Sequence, residues 1–171
     1  MSSTRTLRIE NDLLDALEGM ASKERVSVNL AVNRALRRYV EWDSTERSRG
    51  YVSVPSGLLA KLMGFLTLEK ARELGRLTAT TAFIPNMRRR NPAASIRAVV
   101  DDMRFAAKYT GRYTFDYTEK DGKGLILLRQ QLGRNWSAFY AGSLEEILRG
   151  YLKKKVKVTE GLSVCTFQFD V

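Results

Sequence analysis

The chain has 171 residues, 44% of them hydrophobic, with one cysteine and no histidine, which bounds it to one or two small domains with cores of their own. The missing histidine removes the usual general base, zinc ligand and pH switch, so Ser-His-Asp and Cys-His catalysis are excluded, and the lone Cys165 excludes an intramolecular disulfide framework. A net charge of +10 points to a polyanionic partner.

The charge is unevenly placed. Residues 1–49 hold nine Lys and Arg against eight Asp and Glu, whereas residues 50–171 hold twenty against eleven. The second part therefore carries nearly all of the long-range attraction. No run of 18 or more apolar residues occurs, and residues 1–5 lead straight into a strand pattern rather than a signal peptide. A cytoplasmic, nucleoid-associated protein without membrane contact is expected.

Residues 4–9 alternate strictly, with Leu7 and Ile9 on one face and Thr4, Thr6 and Arg8 on the other, the mark of a short strand with one apolar side. A helix is predicted over 11–23, where Leu13, Leu14, Leu17, Met20 and Ala21 recur at helical spacing. A second is predicted over 27–42, capped by Ser27, with a wide stripe through Val28, Ala31, Val32, Ala35, Leu36, Tyr39 and Val40. Arg34, Arg37 and Arg38 fall off that stripe and read as a solvated helix face. One strand and two short helices cannot bury so much apolar surface alone. Dimerisation is the natural remedy: two copies pairing residues 5–9 antiparallel form a ribbon, over whose apolar face four helices close.

This stretch resembles the ribbon-helix-helix family of DNA-binding proteins (MetJ/Arc/CopG type) over roughly residues 4–42. The resemblance rests on Thr-Leu-Arg-Ile, Leu-Leu-Asp-Ala-Leu and Val-Ser-Val-Asn-Leu-Ala-Val-Asn-Arg-Ala-Leu-Arg-Arg-Tyr-Val, in that order. It implies that Thr4, Thr6 and Arg8 enter the major groove and touch base edges, Arg8 by a bidentate pairing with guanine. It also implies a phosphate at the start of the second helix, on Ser27, Val28 and Asn29, with Arg5 and Arg25 as further phosphate contacts. One departure is visible. Where the family often places glycine before the second helix, this chain has Arg25, for which a left-handed conformation is costly, so a different turn is expected.

Residues 44–50 are polar, lack periodicity and end in glycine, and read as a linker between a domain over 1–43 and another over 51–171. Beyond it, a short helix is predicted from Pro55 or Ser56. Thr67 caps another, carrying Leu68, Ala71, Leu74 and Leu77, and Pro85 should end it. Arg88-Arg89-Arg90 then reads as a basic loop, and Asn91-Pro92 as the start of a helix that reaches Tyr109 and stops at Gly111. Two β-rich runs, 113–118 and 124–130, flank Asp121-Gly122, a strong hairpin signal. A helix over 135–152 follows, then strands over 156–159 and 162–171, where Cys165 alternates with Phe167 and Phe169. The second domain is thus α+β, an antiparallel sheet packed against helices, and resembles no family.

Arg88, Arg89 and Arg90, and Lys153, Lys154 and Lys155 with Lys157, form a possible secondary basic patch for phosphates or acidic partners; for the lysines the ordinary reading is cations at a helix C-terminus. Asp101-Asp102 and Glu145-Glu146 point in different directions on helices and read as solvated. No phosphate-binding glycine loop or dinucleotide fingerprint occurs, and no cofactor, metal or catalysis is expected. The whole predicts a homodimeric, sequence-specific double-stranded DNA-binding transcriptional regulator. Its second domain serves oligomerisation, to a tetramer among the options, or binding of a small molecule or protein. The alternatives are a DNA-coating architectural protein and an antitoxin-like autoregulator.

Overall fold

The computed structural model describes residues 6–44 and 52–171, which fall into two compact units, Met1–Val52 and Ser53–Val171. In the first unit the chain runs irregularly over residues 6–10 and then forms α1 (Asn11–Glu24) and α2 (Val28–Arg38), the latter continuing as a π-helical turn, Tyr39–Asp43. Ser27 caps α2, its hydroxyl accepting from the Leu30 N–H at 3.2 Å. The expected strand over 4–9 is not formed within this single chain: Thr6–Ile9 are irregular, and Thr4 and Arg5 lie outside the described residues. Among the described residues of this chain no strand lies beside the segment to supply a ladder of hydrogen bonds.

Arg25 corrects a second expectation. It does adopt the left-handed conformation (φ 55°, ψ 44°) and closes α1, its N–H donating to the Ser22 carbonyl at 3.1 Å and that of Val26 to Ala21 at 3.0 Å. The turn keeps the glycine-type geometry and an arginine bears its cost.

The second unit is α+β. Helices α3 (Ser56–Gly64), α4 (Leu68–Thr78), α5 (Ile84–Arg90) and α6 (Ile96–Thr110) precede hairpin β1 (Thr114–Lys120)–β2 (Lys123–Arg129); helix α7 (Arg134–Glu145) then leads through a π-helical stretch, Glu146–Tyr151, to hairpin β3 (Val156–Glu160)–β4 (Val164–Asp170). All pairings are antiparallel and the strand order is β1-β2-β4-β3. Asp121 and Gly122 both have positive φ (52° and 71°), the two-residue turn expected of Asp-Gly.

One face of the sheet carries Ile126, Leu128, Cys165, Phe167 and Phe169, all buried against α7 and its neighbours. Helices α4 and α7 cross with their backbones in contact. A Cβ on Gly75 would lie 2.1 Å from the Phe139 carbonyl oxygen, and one on Gly142 2.1 Å from that of Arg72. Ser143 ties the crossing by donating to the carbonyls of Gly75 (3.1 Å) and Phe139 (2.9 Å). Ion pairs flank it: Arg72 reaches Glu145 at 3.1 Å and Glu160 at 2.5 Å, and Arg149 reaches Glu145 at 2.8 Å. Glu145 is therefore paired, not solvated.

Pro85 does not end the fourth helix. A proline ring clashes with the carbonyl four residues back in a regular helix, and a π-helical turn over Ala79–Phe83 sits immediately ahead of it, so the helix widens and runs on as α5. Arg88–Arg90 are consequently the last turn of a helix rather than a loop. That helix stops because Asn91 precedes Pro92 and is driven to extended backbone (φ −142°, ψ 105°). The next helix starts at Ile96 under a Ser95 cap, not at Asn91-Pro92. Gly111, left-handed at φ 61°, ends it as expected.

Candidate nucleic-acid interface

Two of the three side chains expected to read bases, Thr6 and Arg8, sit on the irregular entry to α1. Thr6 and Arg8 are exposed there, while Thr4 and Arg5 lie outside the described residues. Arg25, Ser27 and Asn29 are exposed around the α1–α2 turn, and Val28 is half-buried. The turn brings them to the N-terminal end of α2, where the first-turn amides have no intrahelical acceptor and the dipole favours an anion. Arg34, Arg37 and Arg38 are occupied by Glu24 (2.9 Å), Glu41 (3.4 Å) and Asp43 (3.5 Å). These are exposed pairs of small energetic weight, in keeping with a solvated helix face.

The same unit leaves much of its apolar surface uncovered. Ala21 is its one buried residue among those described, whereas Leu7, Leu13, Met20, Leu30, Leu36, Tyr39 and Val40 are exposed, Leu7 and Val40 by 63% and 67%. Scattered surface leucines need no explanation, but seven large exposed apolar side chains on two helices with one buried residue among those described do.

In the second unit the two basic clusters have different fates. Arg90 pairs with Asp102 and lies 4.7 Å above the Phe105 ring, a structural role that joins α5 to α6. Burial pushes the Asp102 carboxyl above its ordinary range, against the pull of Arg90, while Asp101 pairs with Arg104 at 3.3 Å. Asp102 and Glu145 are thus ion-paired and largely buried, whereas Asp101 stays half-exposed, as expected of a solvated carboxylate. Arg88 and Arg89 are exposed. Lys153 takes a left-handed conformation (φ 57°) and the Lys154 N–H donates to Leu148 at 2.8 Å, so both help end the helix. Lys155 instead lines a groove of about 650 Å³ on the outer face of the sheet, together with Lys120, Lys123 and Lys157.

Lys120 and Lys123 are the residues that sequence reasoning missed. Their signal was present: a two-residue turn at Asp121-Gly122 makes them a directly facing pair and hence puts them on one face of the sheet.

The aromatic residues around the hairpin point the other way. Tyr113, Phe115 and Tyr117 pack on the core, and the Tyr113 hydroxyl donates to the Met103 carbonyl at 3.2 Å. A stacking platform for unpaired bases is therefore not formed by these rings.

Gln130, at the end of β2, is a buried polar hub. Its amide donates to Ser137 (2.9 Å) and to the carbonyls of Gly133 (3.0 Å) and Leu162 (3.3 Å), and Cys165 donates to the Ser137 carbonyl at 3.2 Å. Burial pushes the Cys165 thiol up to about 11, the opposite of what a nucleophile needs. Among the described residues no cluster of three or more His, Cys, Asp or Glu is placed to hold a metal, and no helix is long and apolar enough to cross a membrane. No protein-family model matches the chain, and no curated protein matches it.

Proposed function

We propose that the protein is a homodimeric, sequence-specific double-stranded DNA-binding regulator of transcription, of ribbon-helix-helix type in its first unit. The observation that supports this most is the exposed apolar surface of α1 and α2, where Leu7, Met20, Leu36, Tyr39 and Val40 are exposed and Ala21 alone among the described residues is buried. A unit so little buried is completed by a second copy. Pairing residues 5–9 of two chains supplies a ladder for the irregular segment and cover for Leu7 and Ile9 together, and it leaves Thr4, Thr6 and Arg8 on the outer side of the ribbon. Ser27, Val28 and Asn29, with Arg5 and Arg25, then clamp phosphates on either side. The second unit oligomerises or binds a ligand or partner.

The test is in vitro selection from a random duplex pool with the full chain, the winner and a scrambled control then being titrated across salt. Enrichment of one roughly palindromic motif, bound at least ~1,000-fold tighter than the control, is the expected result. Arg8→Ala should cost about 1–3 kcal/mol on that motif and relax base choice there; unchanged specificity would remove Arg8 from the reading surface. A DNA-coating protein is the second reading, favoured by the twenty Lys and Arg against eleven Asp and Glu in residues 50–171. It predicts no enriched motif but steep salt dependence.

A further inference from the structure

We propose that the outer face of the second unit's sheet is a separate duplex-DNA contact, in which Lys120 and Lys123 on one bank and Lys155 and Lys157 on the other hold the phosphate backbone. This rests on the reading of the protein as DNA-binding, but it concerns a surface that the ribbon does not include.

Strand order builds the site. Lys120 lies on β1 and Lys157 on β3, the two edge strands of the β1-β2-β4-β3 sheet, whose axes are roughly 14 Å apart at three interstrand spacings. Lys120 faces Lys123 directly across the hairpin, and Lys155 and Lys157 are two apart, so both share the outer face. Like charges placed directly opposite each other weaken a sheet. Four lysines therefore surround one open groove against a single carboxylate, Asp170, which lies 3.8 Å from Lys123 with both partners well exposed. That exposed contact is weak, unlike the closer and less exposed pairs of Arg72 and Arg90.

The chemistry of the face selects its occupant. The groove's remaining lining includes Thr118, Leu125, Gln168 and Phe169, but Phe169 is only 4% exposed and, like Tyr117 and Phe167, packs on the core. Without outward rings there is nothing for splayed bases to stack on, which disfavours single strands. Lysines serve as point charges for phosphates. Duplex backbone is the polyanion that asks for this much and no more.

The test compares full-length wild type with a Lys120→Gln/Lys123→Gln/Lys155→Gln/Lys157→Gln variant on one duplex of arbitrary sequence, across salt. A charge-matched control carries Lys61→Gln/Lys70→Gln/Arg97→Gln/Arg104→Gln, all exposed positions outside the groove. The expected result is a log K against log salt slope flatter by about 3–4 for each engaged protomer in the groove variant, since each lysine contributes about 0.9. The control should keep the wild-type slope, and the four Lys→Arg replacements should restore it. Equal slopes for wild type and the groove variant would overturn the proposal while leaving the DNA-binding reading intact. Tighter binding to the corresponding single strand than to the duplex would also overturn it. If wild type does not bind duplex at all, both fall. Because the four lysines are exposed, unchanged circular dichroism and oligomeric state of the groove variant accompany the supporting outcome.

Discussion

Arg25 is where the first unit strains against its own sequence. An L residue other than glycine in the left-handed region is disfavoured by about 1 kcal/mol or more, yet the α1–α2 turn depends on it (φ 55°). Arg25→Gly should therefore stabilise the protein by up to about 1 kcal/mol in urea unfolding. If the guanidinium also reaches a phosphate, the same variant should bind duplex DNA more weakly, with a salt slope flatter by about 1. Opposite signs in the two measurements identify an arginine retained for binding; a stability gain with unchanged affinity identifies one that contributes only its backbone. Within the second unit, the comparable pressure falls on Gln130, whose amide serves three acceptors at once.

At the scale of elements, the α4–α7 crossing decides the packing of the helical layer. Helix propensity alone favours Gly→Ala by about 1 kcal/mol, but a Cβ at Gly75 or Gly142 meets rigid backbone at 2.1 Å, and overpacking of that kind costs about 1–3 kcal/mol or more. Gly75→Ala and Gly142→Ala should each destabilise. Their effects should not add, because either one pushes the same pair of helices apart. Gly19, in α1 with nothing within 4 Å of its Cβ position, should show the reverse sign, and thermal melts of the three variants check both statements. Much at this scale was legible in sequence. The Ser27 and Thr67 caps, the Asp121-Gly122 turn, the Gly111 stop and the inward run Cys165, Phe167, Phe169 all signal through local chemistry. Passage of the helix through Pro85 was not, because the π-helical turn that permits it has no residue type of its own. Nor was the pairing of Arg90 with Asp102, which only the packing of α5 on α6 brings about.

For the whole molecule, the groove was illegible for a topological reason. Lys120 and Lys123 meet Lys155 and Lys157 only because β4 lies between β2 and β3, which no local pattern states. Composition makes a sharper forecast. With no histidine, stability should vary little between about pH 6 and 9. Burial raises the Cys165 thiol to about 11 and the Tyr140 hydroxyl to about 12, above the values these groups have in an unfolded chain. Their contribution is complete below the unfolded values and is lost as pH rises through the folded ones. Denaturant midpoints should accordingly hold to about pH 9 and fall progressively toward pH 12, and a midpoint that moved through pH 6–8 instead would contradict this.

The two hairpins also set an order of assembly. Each closes through a local turn, Asp121-Gly122 in the first and the short link from Glu160 to Val164 in the second, and such pairings form within microseconds. Joining them is slower, because pairing Arg129 with Val164 closes a loop containing the whole of α7, and that loop's entropy is lost before the new ladder repays it. The β2–β4 seam is thus the last part of the sheet to form.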